Sequence, residues 1–333
     1  TISNCAIMNS TIVKGPGGAI AILGAQCSLI NVSIENASTQ NAEGGAIYWK
    51  GTDGHMNNVT IFNASSHSTG SRISDGGAIY VAGWNCVMND IKIFKASANT
   101  DETGAKTNYG GAIYIGGSNS VLTNIIIDNA TSANVKMNGA GGAIYQNGYG
   151  GTLINATISN TYANGNGGAI YWKGSTPSTI ANISITYSQT EVINSTNSAD
   201  GGAIYATTIG ELNNVTIADA KAYKNKGDVH GGAIYLKDGK TLNNVTVVDS
   251  RASTDDGTSY GGAIFSERSS GSTSLWIYNS SFNESNADLG GGIYFNKVTG
   301  RISGTSFNGN VANKDGGALY GIGSDIIVES SIA

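Results

Sequence analysis

One motif constrains this chain more than any other. GGAI or a near variant begins at Gly17, Gly44, Gly76, Gly110, Gly141, Gly167, Gly201, Gly231, Gly261, Gly290 (as GGGIY) and Gly316 (as GGALY). The eleven copies recur at a mean spacing near 30 residues, a period that belongs to stacked repeat folds. A second signature travels with them, as NVSIENA at 31–37, NVTIFNA at 58–64 and NVTIADA at 214–220. Its apolar residue (Ile34, Ile61, Ile217 and equivalents) lies 16 to 18 residues after the first glycine, with 21 before Phe282 as the exception. The stretch from there to the next glycine pair varies much more. One arc of each repeat is fixed and the other is free, as in a solenoid whose insertions collect on one side.

The fixed arc reads as strand. AIYWK and NVTIF are short, β-branched or aromatic, and bounded by Gly and Asn. Like strands of successive coils pair in parallel, and parallel crossovers are almost always right-handed. The predicted fold is therefore an all-β, right-handed parallel β-helix of about eleven coils, one continuous domain over 1–333 and about 50 Å tall at ~4.8 Å per coil.

Three files follow from the register. Asn4, Asn31, Asn58, Asp90, Asn124, Asn155, Asn182, Asn214, Asn244 and Asn279 stand three residues before the aligned apolar position, with Gly304 departing. They are expected to form an inward Asn ladder at a buried bend, each amide bonding along the stack. Asn9, Asn36, Asn63, Asn129, Asn160, Asp219 and Asp249 make a weaker second ladder. Tyr48, Tyr80, Tyr114, Tyr145, Tyr171, Tyr205, Tyr235, Tyr294 and Tyr320, with Phe265 among them, form a stacking file. The glycine pair is expected to take backbone angles closed to other residues, and its Ile to point into the core.

GGAI with a downstream Phe-x-x-Asn, here FNGN at 307–310 and nearly FNES at 282–285, resembles the repeats of chlamydial polymorphic outer-membrane proteins. The GGAIY and N-x-T-I style also looks like adhesin-like or sheath proteins of methanogenic archaea. The resemblance implies a β-helical passenger, an extracellular or cell-surface location and, loosely, adhesion.

Little in the chain reads as chemistry. The net charge of −5 and the lack of a basic stripe disfavour nucleic acid and anionic lipid, and no apolar run approaches a membrane span. Cys27 and Cys86 share a column two coils apart, too far to bridge, and Cys5 lies in another, so all three read as buried free thiols. His55, His67 and His230 read as solvated turn or loop residues. A polysaccharide lyase or hydrolase would need clustered carboxylates. The best cluster is Lys237, Asp238, Glu267 and Arg268, with Lys297 beyond, and it reads as two inter-coil ion pairs, Glu267 on Lys237 and Arg268 on Asp238. The loop carboxylates Asp101, Glu102, Asp255 and Asp256 read as solvated rather than calcium-binding. No cofactor is implied. Of the many sequons, Asn194 in a long variable loop is the best glycan acceptor, inward ladder positions leaving no room.

No cap is legible at either end. Either the chain is part of something longer, or copies join head to tail through Ile2, Ile7, Ile326, Val328 and Ile332, with residues 1–8 of one over 325–332 of the next. A structural surface protein polymerising this way is the leading expectation, and a charge at Ile327 or Ile7 should abolish it. A monomeric adhesin binding cells or glycans through its variable loops is the alternative.

Overall fold

The computed structural model describes residues 1–69, 73–100, 108–134, 139–174, 178–193, 197–207, 209–239, 241–269 and 274–331. Among them every regular element is a β-strand, and the strands wind into the right-handed parallel β-helix that the repeat predicts. A typical coil runs through a short strand (Ile47–Trp49), a corner, a long strand (His55–Ser68), the variable loop and the next glycine pair. Eleven short strands form one parallel sheet, and the long strands form a second.

The core consists of files. Ile2, Leu29, Met56, Met88, Leu122, Leu153, Ile180, Leu212, Leu242, Ile277, Ile302 and Val328 lie one above another in register. The Ile of the glycine motif forms another, fully buried from Ile47 to Ile293. Burying such a side chain is worth roughly 1.5–3 kcal/mol, which is why the position tolerates little but Ile.

The two glycines of each pair do different work. The first takes φ between +62° and +74°, the left-handed region that favours glycine. The second has no such angle; its α-carbon lies against the next coil. A Cβ on Gly77 would sit 2.0 Å from the Gly111 carbonyl oxygen and 2.4 Å from the Ser97 carbonyl carbon. Only the first therefore meets the backbone-angle expectation, and the second is glycine for want of space.

The Asn ladder exists, but it faces out. Asn31, Asn58, Asn124, Asn155, Asn182, Asn214 and Asn244 are exposed, which corrects the inward placement. Each takes φ between +51° and +58°, an angle that Asn tolerates better than other side chains, so the residue marks a corner where the long strand turns. Gly304 at φ +60° meets the same demand. The amides bond up the stack: Asn182 Nδ2 donates to Asn155 Oδ1 at 3.0 Å and Asn214 Nδ2 to Asn182 Oδ1 at 2.8 Å. The second ladder is a second such corner, occupied also by Lys95, Tyr187, Glu284 and Gly309. A third, unforeseen corner runs through Gln26, Asp53, Asn85, Asn119 and Gly150.

Candidate functional site

The outer face of the short sheet carries the Tyr file. From Tyr48 to Tyr320 ten rings stack with centroids 4.5–5.5 Å apart, Phe265 included. Alternation along each strand puts the Ile inward and the Tyr outward. Burial among neighbouring rings pushes the phenols of Tyr114 and Tyr171 up to about 12.

Two columns of varied residues flank this file. On one side stand the residues just before each glycine pair, Glu43, Asp75, Tyr109, Ala140, Asn166, Asp200, His230, Tyr260, Leu289 and Asp315, brought level because each glycine N–H donates to the next coil's member. On the other stand the residues following the short strands, among them Lys50, Ala82, Gly116, Asn147, Lys173, Thr207, Lys237, Glu267 and Asn296.

The first column places two carboxyls under cover. Asp75 is buried and accepts the Tyr109 backbone N–H at 2.9 Å; burial nonetheless holds its carboxyl well above the usual carboxylate range. Asp200, also buried, accepts both the His230 backbone N–H at 3.0 Å and Nδ1 at 2.9 Å. The His230 ring stacks on Tyr260 at 5.2 Å and tilts against Phe265 at 4.5 Å. Burial alone would lower the His230 pKa, but the Asp200 carboxylate outweighs it and the net shift is upward. His230 is thus no solvated loop residue. The signal was its place directly before a glycine pair, a fixed position next to a variable stretch. His55 is exposed, while His67 lies within the strand His55–Ser68 and is half-buried.

The second column contains the charge cluster. Lys237 Nζ lies 3.6 Å from Glu267 Oε1, the inter-coil pair expected, and Glu267 also accepts the Tyr235 hydroxyl. Asp238 instead accepts the Ser269 N–H at 2.9 Å and the Ser269 hydroxyl, so the expected partnership with Arg268 is not formed. Asp255 is exposed, as expected, but it lies in the strand Arg251–Asp256 rather than in a loop and accepts the Tyr223 hydroxyl at 2.7 Å. Among the described residues no three His, Cys, Asp or Glu side chains converge as metal ligands. Cys5, Cys27 and Cys86 are free, and only Cys86 is buried. Asn194, Ile332, Asp101 and Glu102 lie outside the described residues.

Ile2, Ile7 and Ile326 pack partly buried against the ends of the core, and Val328 ends the file that starts at Ile2. Ile327 pairs level with Arg301 and Trp276 and is exposed on the outer face. A charge there does not reach the end surface, which corrects its choice as an edge probe. No described helix is long and apolar enough to cross a membrane.

The face presents an aromatic wall flanked by amides, hydroxyls and a few charges. Residues 304–322 match a family model for the Chlamydia polymorphic membrane protein repeat. They include FNGN and GGALY, the coil in which both elements are complete. No curated protein and no solved structure matches the chain.

Proposed function

We propose that this chain is a non-catalytic cell-surface solenoid of adhesin type, a rigid column that displays side chains for binding. The observation that carries the reading is the register. Repeats resembling those of a bacterial surface protein stack coil on coil in register, and their Asn ladders bond from one coil to the next. Glu267 supports this, because the carboxylate of the charge cluster weighed for glycan cleavage already holds Tyr235 and Lys237. Protease treatment of intact cells is expected to remove the protein while sparing cytosolic markers, and the purified chain is expected to bind cells. Protection from protease on intact cells would overturn the reading.

Head-to-tail polymerisation is a second reading, favoured by one feature. Ile2 and Val328 belong to one inward file, so a second copy set on the Val328 end continues that file and both sheets in phase. Joined this way the contact is heterologous and open, and it grows a filament. Negative-stain microscopy of purified protein is expected to show filaments one solenoid wide; monomers at all concentrations would remove this reading and leave the adhesin one.

A further inference from the structure

We propose that a groove beside the Tyr file binds a linear acidic glycan. The inference rests on reading the molecule as a binding scaffold and names the ligand class.

The groove has a volume of about 550 Å³ and lies at the third corner, between the two sheets. Trp84 and Tyr149 line it, and they are 62% and 64% exposed. Two such rings set near each other form an exposed aromatic patch, the kind of surface that marks an interaction site. They share one column, each directly before a corner residue (Asn85 and Gly150), because the corner N–H of each coil donates to the next coil: Asn85 to Ser118 O and Asn119 to Tyr149 O, at 2.9 and 2.8 Å. Two coil rises separate them, ~10 Å, about the length of a disaccharide. Between them stands only Ser118.

The opposite wall is the column after the short strands. Gly116 supplies no side chain there, and a Cβ would come within 3.1 Å of the Tyr114 ring. Its absence opens the groove toward the Tyr file. Asn147 follows, hydrogen-bonded to the Tyr114 phenol, then Lys173 and Thr207 one and two coils on. The groove spans five coils, ~19 Å, enough for about four sugar rings.

Each element suits a sugar chain. Flat aromatic faces take the C–H faces of pyranose rings, while amides and hydroxyls exchange hydrogen bonds with sugar hydroxyls. The opening along the column axis suits an extended polymer better than a compact ligand. Lys173 is exposed and is the one charged residue among the described lining, and it forms no ion pair with a described residue. A lone cation in the groove gives a carboxylate-bearing sugar a charge-assisted partner that a neutral sugar lacks, so the sugar it favours is a uronate type.

Calorimetry of the full chain against hexagalacturonate and neutral cellohexaose tests this. The acidic hexamer is expected to bind saturably and more tightly than the neutral one. Trp84→Ala and Tyr149→Ala are each expected to weaken it at least about tenfold, with unchanged melting because both rings are mostly in water. Tyr149→Phe, which keeps the ring, is expected to retain binding, and Lys173→Ala to abolish the preference for the acidic hexamer. Absence of saturable binding by either hexamer overturns the proposal, as does binding unaffected by loss of both rings. Equal affinity for the two hexamers overturns the acidic assignment. Cell binding that persists in the Trp84→Ala, Tyr149→Ala double variant, with no glycan bound by the parent, sinks the groove and leaves the scaffold reading standing. Protein shielded from protease on cells sinks the scaffold reading instead.

Discussion

At the scale of the residue, two different constraints select the small amino acids. Gly76 needs its angle, φ +64°, while Gly77 needs its emptiness. Gly77→Ala forces two backbones apart, and it is expected to cost about 4 kcal/mol or more, in the range reserved for severe lesions, read as a lowered denaturation midpoint. The Asn corners separate in the opposite way. Asn155→Gly keeps the angle and loses the bonds to Asn124 and Asn182, whereas Asn155→Ala loses both. The expected losses are about 1 kcal/mol for glycine and about 1 kcal/mol more for alanine, by chemical denaturation; equal losses would show that the angle carries no strain. Asp75 follows from its surroundings. Its folded pKa is raised, so its contribution to stability is present below the ordinary carboxylate value and is lost as pH rises through the raised one. Asp75→Asn is expected to raise the melting temperature by about 1–3 °C at pH 8 and to leave it unchanged at pH 3.

At the scale of the element, the coil is a strand–corner–strand unit whose sheet hydrogen bonds run to the coils above and below, so its shape is legible from periodicity. The Ile and Tyr files follow from alternation alone, and they stand where the sequence places them. What periodicity could not give is the side of a corner. An Asn every thirty residues fits an inward bend or an outward one; φ values near +55° mark the corner, and the exposure of Asn31, Asn155 and Asn244 decides for outward. The second and third corners were partly or wholly hidden because Lys95, Tyr187, Glu284 and Gln26 occupy an angle that Asn merely prefers. The pair Asp200 and His230 shows a different limit: both stand visibly before a glycine pair, but the variable stretch on their other side makes them read as loop residues. That pair gives the coil a pH response. The folded His230 pKa is raised above 6.5, so its stabilisation is full below that value and fades as pH climbs through the raised one. Melting temperature is expected to fall across that window in the parent and to fall less in Asp200→Asn, where the charged partner is gone.

At the scale of the whole molecule, the file shared by Ile2 and Val328 and the open groove differ in how far the sequence discloses them. The first was legible, because Ile2 and Val328 fall in one file by simple counting. The groove was not, since it depends on two large residues, Trp84 and Tyr149, framing two small ones, Gly116 and Ser118, in columns that follow no regular residue pattern. If copies join end to end, Ile2→Lys or Val328→Lys is expected to leave only monomers in sedimentation, while Ile327→Lys on the outer face leaves polymer intact. Polymer persisting in the Ile2→Lys, Val328→Lys double variant would exclude that junction.

The close apposition of second glycines from coil to coil has a consequence for how such a molecule changes over generations. Since every storey meets the next through the same bare backbone, a gene that copies or drops one whole unit alters reach by ~4.8 Å and demands no compensating change elsewhere. Height becomes a quantity that recombination can set in steps, independently of whatever the flanking columns have come to recognise.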